Sequence, residues 1–282
     1  MVECYNSDIV FEEVGHTYTR NGHTAPISVT GLISKYFPLF DGVAVVDKYF
    51  KSWKIRASSK YYELIHAHTN DADAKQAILD LWEENKNEAC RLGTDTHKAV
   101  ELLLGGAPLE SCGNPEVEAE INSFLKWHQE KSRMGWEFVA SELVVGGVDE
   151  DDKLCLGGSV DAIFKDEKGA FVLVDWKRTG KAFGPEEDAP FADFGSGPMS
   201  HLKDTKYNRY ATQLAVYARL LSRIGIDVGN RRILVRLTKD GAEQIEASGA
   251  VFDEVAEKLV HEAGVAELQS PVPVSKRLKA SV

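Results

Sequence analysis

Cysteine is scarce in this chain: four in 282 residues, Cys4, Cys90, Cys112 and Cys155, far apart and with no CxxC among them. That spacing excludes a zinc knuckle and offers no disulfide framework, so reduced, partly buried thiols are expected. No apolar stretch approaches the roughly 18 to 20 residues that cross a bilayer. The opening MVECYNSDIVFEE is acidic where a signal or transit peptide is basic. The expectation is a soluble, intracellular protein, cytoplasmic by default, with no targeting peptide and no membrane partner. Positive charge is short as well: 33 Lys plus Arg against 44 Asp plus Glu leave a net charge of -11. Such a molecule repels polyanions as a whole, so any nucleic acid must be held by a local basic strip.

What is present, 43% hydrophobic and 27% charged residues, excludes a disordered chain and suffices for one substantial core or two modest ones. HTYTR and HTAPISV alternate β-formers around Asn21-Gly22, which predicts a hairpin, and Thr30 is expected to cap a helix through GLISKYF. Residues 48–62, KYFKSWKIRASSKYY, interleave Lys48, Lys51, Lys54, Arg56 and Lys60 with aromatics including Trp53 and contain no acid. Apolar residues then recur at helical steps from Asp73 to Leu104, and Asn114-Pro115-Glu116 starts another helix reaching about Met134.

The period then changes from 3.6 to 2. WEFVASELVVGG, KLCLGGSVDAIF and GAFVLVDWK read as three strands joined by the acidic turns VDEDD and KDEKG. A Gly/Pro-rich loop over 180–200, a helix from about Asp204 to Ile224, a fourth strand RRILVRL and a helix from about Asp253 to Leu268 complete the order. This implies an α/β fold, a mixed sheet flanked by helices. The expected organisation is an N-terminal hairpin and basic, aromatic helical region over 1–70, a core over 71–270 and a basic tail over 271–282.

Chemistry concentrates at Val174-Asp175-Trp176-Lys177. Strand alternation puts Asp175 and Lys177 on one face and Trp176 on the other. Other acid-x-lysine triplets in the chain fall in turns or at helix ends; only this one follows a buried apolar run. A buried carboxylate needs partners, and Asp161, in GGSVDAIF, can meet Asp175 if the two strands pair antiparallel. Two carboxylates brought together repel unless a cation sits between them, which points to Mg²⁺ or Mn²⁺. His97 and Glu101 share one helix face. Glu101 and Glu142 could assist such a site or be ordinary exposed charges. Gln213 and Tyr217 also stand four apart on one helix, where simple packing is the competing reading. The acidic run 149–152 lacks calcium-loop spacing, and Gly184–Pro198 lacks GxxxxGK, so neither is read as a site.

The ordered set of GTxxH with Glu101, GGSVDAIF, VLVDWKRT and QLAVY, over about residues 90–240, resembles the PD-(D/E)XK nuclease superfamily. Within it the set is similar to the RecB-like exonuclease branch that includes the mitochondrial genome maintenance exonuclease. The resemblance implies a restriction-endonuclease-like core. It makes Asp161 and Asp175 catalytic metal-binding acids, Lys177 the catalytic lysine, and His97 with the Trp176 carbonyl further metal ligands. Gln213 and Tyr217 become nucleic-acid contacts. Some relatives carry a four-cysteine iron-sulfur cluster, which is not expected here because no cysteine follows Cys155. Together these readings predict a Mg²⁺- or Mn²⁺-dependent deoxyribonuclease, an exonuclease on single-stranded or frayed DNA, with Lys48, Lys51, Trp53, Lys54 and Arg56 binding the strand. The rivals are a structure-specific endonuclease of the same fold and a non-catalytic nucleic-acid-binding module.

Overall fold

The structure is a computed structural model that describes residues 8–108, 113–187 and 189–266. Cys4, Cys112 and the expected basic tail lie outside these residues. The chain divides into two compact units, one formed by residues 39–95 and the other by the flanking segments 1–38 and 96–282.

In the larger unit, β1 (Val10–Glu12), β2 (Thr17–Arg20) and β3 (His23–Thr24) form a small antiparallel sheet. The β2–β3 turn is the expected Asn21-Gly22, both with positive φ, as a tight primed turn requires. The hairpin's second strand is shorter than its sequence suggested, because Pro26 has no N–H to donate. Past it, β4 (Ile27–Ser28) leaves for the main sheet, where it runs parallel to β6 (Leu154–Lys165). Ser28, rather than Thr30, caps α1 (Val29–Ser34), its hydroxyl accepting the Gly31 N–H.

The main sheet has six strands. β5 (Glu137–Val148) runs antiparallel along one edge of β6. The other edge is shared: β4 pairs with Leu156 and Gly157, whereas β7 (Phe171–Arg178) pairs with residues from Ala162 to Lys165. Residues 158–161 therefore have no ladder partner on that side. β8 (Arg232–Thr238) continues parallel to β7, and β9 (Gly241–Glu246) closes the sheet antiparallel to β8. β9 was not foreseen because its residues, GAEQIE, are mostly polar, with Ile245 its one fully buried side chain and Ala242 only half-buried against the opposite face. The result is a mixed sheet with helices on both faces.

One face carries a core of Leu143, Val160, Leu173 and Leu234 under α1, α6 (Lys206–Ser222) and α7 (Ala250–Glu262). The other buries Ala162, Val174, Trp176 and Val235 against Val100 of α4 (Asp71–Leu104) and Phe124 and Trp127 of α5 (Pro115–Arg133). α4 is a single helix of 34 residues. Asn114 caps α5 as expected, its side chain accepting from the N–H groups of Glu116 and Val117. α7 starts three residues earlier than the pattern suggested and ends at Glu262.

The smaller unit contains α2 (Gly42–Ile55), α3 (Tyr62–His66) and the N-terminal part of α4. Its core is Val46, Phe50, Tyr61, Ile65, Ala74 and Ile78, with Trp53 and Trp82 packed against them. Among the described residues, no helix is long and apolar enough to cross a membrane.

Candidate active site

The interruption along β6 builds the site. In the antiparallel register, Ala162 opposes Val174, so the next position would set Asp161 against Asp175. The ladder stops there. The Trp176 N–H instead donates to Asp161 Oδ2 at 2.8 Å, and the two aspartates flank the parting of the strands. On the far side of β6, the β5 register brings Glu142 opposite Asp161, between the Ser141–Ala162 and Leu143–Val160 pairs. Three acids on three neighbouring strands thus form a row.

α4 adds His97 to this row. Its Nε2 lies 3.0 Å from the Trp176 carbonyl oxygen, and its Nδ1 lies 3.5 Å from Asp161 Oδ2. His97, Glu142 and Asp161 each present one ligand atom within 4.8 Å of the others. Asp175, one strand along, is 1% exposed. Lys177 Nζ pairs with its Oδ2 at 2.6 Å, while Asp175 Oδ1 receives no hydrogen bond among the described residues. Trp176 points to the opposite face, edge-on to Phe124 and Trp127, as strand alternation requires.

The electrostatics suit a cation. Burial, then the adjacent Asp175, pushes the Asp161 carboxyl well above the usual range. Burial and the nearby Asp161 raise Glu142 to about 7, against partial relief from the Ser159 hydroxyl that donates to it at 2.8 Å. Burial and Lys177 lower His97, leaving a neutral imidazole able to act as a ligand. Burial alone would lower Lys177, but Asp175 and Asp161 more than reverse this and keep it protonated. Its ammonium also lies over the Tyr210 ring, 4.6 Å from the centroid. Carboxylate oxygens, among them the unpartnered Asp175 Oδ1, and a nearby carbonyl form an oxygen-dominated donor set, which fits Mg²⁺ or Mn²⁺, and the neutral imidazole adds one softer nitrogen ligand.

The pattern of residues leaves Glu101 and Glu142 open between a metal role and ordinary charge, and in the structure the backbone marks Glu142. It has φ of 47° inside a strand, a conformation that L-residues rarely adopt and that recurs where function holds the chain under strain. Glu101 shares the helix face with His97 as expected but is engaged by Lys98 at 2.8 Å. Gln213 and Tyr217 do meet, the Gln213 amide donating to the Tyr217 hydroxyl at 3.2 Å. Tyr217 is buried against the stretch of β6 that is unpaired on its β7 side, where a Cβ on Gly158 would lie 2.5 Å from its ring.

The basic and aromatic residues of 48–62 belong to the smaller unit. Trp53 stacks on Tyr49 and packs against Tyr61 and Trp82, so much of its ring is spent within the unit. Lys54 pairs with Asp71 at 2.5 Å, and Lys48 lies over the Tyr49 ring. Lys51 and Arg56 are exposed on the helix and at its C-cap, respectively.

A family model described as the PD-(D/E)XK nuclease superfamily matches residues 60–276. The chain belongs to the PD-(D/E)XK nuclease superfamily. Membership implies a nuclease acting on DNA, and nucleases of this superfamily generally use divalent metals. The mixed sheet flanked by helices agrees with its restriction-endonuclease-like fold. Among solved structures, one titled "Crystal structure of SSO0001" is 14% identical, with a TM-score of 0.32 over 87% of this chain and 77% of that one. No curated protein matches this PD-(D/E)XK chain.

Proposed function

We propose that this chain is a Mg²⁺- or Mn²⁺-dependent deoxyribonuclease of the RecB-like branch, hydrolysing DNA phosphodiesters as an exonuclease on single-stranded or frayed ends. The observation that carries this reading is the convergence of His97, Glu142 and Asp161 beside a buried Asp175, which is paired with Lys177 through one oxygen while its Oδ1 receives no hydrogen bond among the described residues. Those four side chains, with the Trp176 carbonyl, would hold the ion. When bound, the ion supplies Lewis-acid polarisation of the scissile phosphate and lowers the pKa of a water. Lys177, held charged by its acidic neighbours, is a donor: its Nζ orients a water or steadies negative charge developing on the phosphate. Gln213, tethered to the buried Tyr217, is fixed on the α6 side of the site to meet the substrate strand. Preference for single strands is supported by the smaller unit, where Lys51 and Arg56 stand as phosphate contacts on an otherwise acidic molecule.

The test is digestion of 5′- and 3′-labelled single- and double-stranded oligonucleotides with Mn²⁺ or Mg²⁺ and with a chelator. Stepwise shortening from one end of a single strand, lost with the chelator, is expected. Cleavage of circular single-stranded DNA would make the enzyme an endonuclease instead. DNA binding without cleavage in any divalent ion would make it a non-catalytic module.

A further inference from the structure

We infer that Glu120 is a positioning residue that sets the candidate active site by gripping the immediate neighbours of two of its members, an inference that rests on the proposed function. Glu120 lies on α5, away from the row of acids, and is 6% exposed. A carboxylate seldom occupies such a position unless it is fully paired. Its Oε2 accepts a hydrogen bond from the Thr96 hydroxyl at 3.0 Å and another from Arg178 Nε at 2.9 Å. Arg178 is held a second time by Glu116, one turn earlier on α5, at 2.6 Å.

Thr96 precedes His97 on α4, and Arg178 follows Lys177 on β7. One carboxylate therefore ties the helix that carries the imidazole to the strand that carries the lysine. The grip comes from the correct side. Successive residues on a strand face opposite ways, so a contact to Arg178 holds the backbone of Lys177 without entering the face on which Lys177 and Asp175 work. α5 is a firm base for it: the Ser123 hydroxyl, nearly one turn beyond Glu120, donates to the Thr238 carbonyl at the end of β8 at 2.7 Å. The consequence is a fixed spacing between His97 Nε2 and the Trp176 carbonyl, which lies one residue before Lys177.

The inference separates from the functional reading in a set of variants measured on the full chain. Wild-type protein must bind Mn²⁺ and cleave DNA; if it does neither, the functional reading itself fails. Given a working wild type, Glu120→Gln and Thr96→Val are compared by Mn²⁺ titration calorimetry, kcat and KM on a single-stranded oligonucleotide, and thermal melting. Thr96→Val removes only the hydroxyl and leaves the Glu120–Arg178 pair intact, so it decides the matter should Glu120→Gln fail to fold. The expected result is a loss of about 10- to 100-fold in Mn²⁺ affinity or kcat, the usual effect of removing a group that orients a metal site, with the oligonucleotide KM within about 2-fold of wild type. Thr96→Ser, which restores the hydroxyl, should recover wild-type values. Folded Thr96→Val protein with unchanged kcat and Mn²⁺ affinity, or a change confined to KM, would overturn the inference.

Discussion

Glu142 and Asp161 confront each other across β5 and β6, and their charges are tolerable only when a proton or a cation is shared among them. In metal-free protein, Glu142 holds its proton to about pH 7, against 4.5 for an ordinary glutamate. The folded state thus binds a proton that the unfolded chain releases. The associated stability is fully present below pH 4.5 and is lost as the pH rises through 7. Metal-free protein should therefore melt at lower temperature at pH 8 than at pH 5, with Glu142 contributing on the order of 1–3 kcal/mol. Glu142→Gln should flatten that dependence in thermal melts of chelator-treated protein while lowering the stabilisation gained on adding Mn²⁺. An unaltered pH profile in this variant would show that Glu142 is ionised in the ordinary range. Asp175→Ala and Lys177→Ala should each reduce metal-dependent cleavage by about 10²- to 10⁴-fold with the fold intact by circular dichroism. Wild-type rates in either would remove that residue from the chemistry.

At the scale of elements, two glycines with similar prominence in the sequence have opposite meanings. Gly158 lies on the stretch of β6 that pairs with β5 but has no ladder partner on its other edge, and a methyl group there would meet the Tyr217 ring at 2.5 Å and Val29 at 3.1 Å. Gly158→Ala should destabilise the protein by about 1–3 kcal/mol through overpacking. It should also lower activity by displacing α6 and the Gln213–Tyr217 pair. Gly93, in the GTxxH motif, lies inside α4, and a methyl group added there would meet nothing within 4 Å. Gly93→Ala should stabilise by up to about 1 kcal/mol, since alanine is the better helix former. Urea denaturation of both variants checks the contrast. Equal effects would mean that helix propensity and steric space at these positions have been misjudged.

For the whole molecule, the net charge of -11 must be overcome locally before a polyanion can approach. If residues 48–62 serve that purpose, Lys51→Ala combined with Arg56→Ala should raise KM for single-stranded DNA and shallow the dependence of binding on salt by about one unit of slope per cation removed. The kcat should be unchanged. Lys54→Ala should do less, because Asp71 already neutralises Lys54. A salt titration of binding, by fluorescence anisotropy, distinguishes these outcomes; an identical slope in the double variant would make the strip an ordinary packed helix. Removing the metal should abolish cleavage, and restoring Mg²⁺ at about 100 times its Kd should raise stability by roughly 2.7 kcal/mol.

The sequence alone determined the alternation of helix and strand through most of the chain, because burial imposes period 3.6 or period 2 directly on the order of residues. It also determined which strand could carry an acid and a lysine on one face, since that needs only the two-residue repeat at Asp175 and Lys177. Side-chain caps were partly legible: Asn114 was, whereas Ser28 took the place expected of Thr30. β9 escaped because an edge strand with one fully buried side chain has no apolar alternation to display. The membership of Glu142 in the row of acids was decided by tertiary structure alone. It depends on the register of β5 against β6 and on a left-handed backbone at a glutamate, and neither leaves a local trace. The same holds for Glu120, whose partners Thr96 and Arg178 stand 24 and 58 positions away in the chain. Pairings at such distances are set by how the helices settle on the sheet, which is a property of the packed core and not of any short segment.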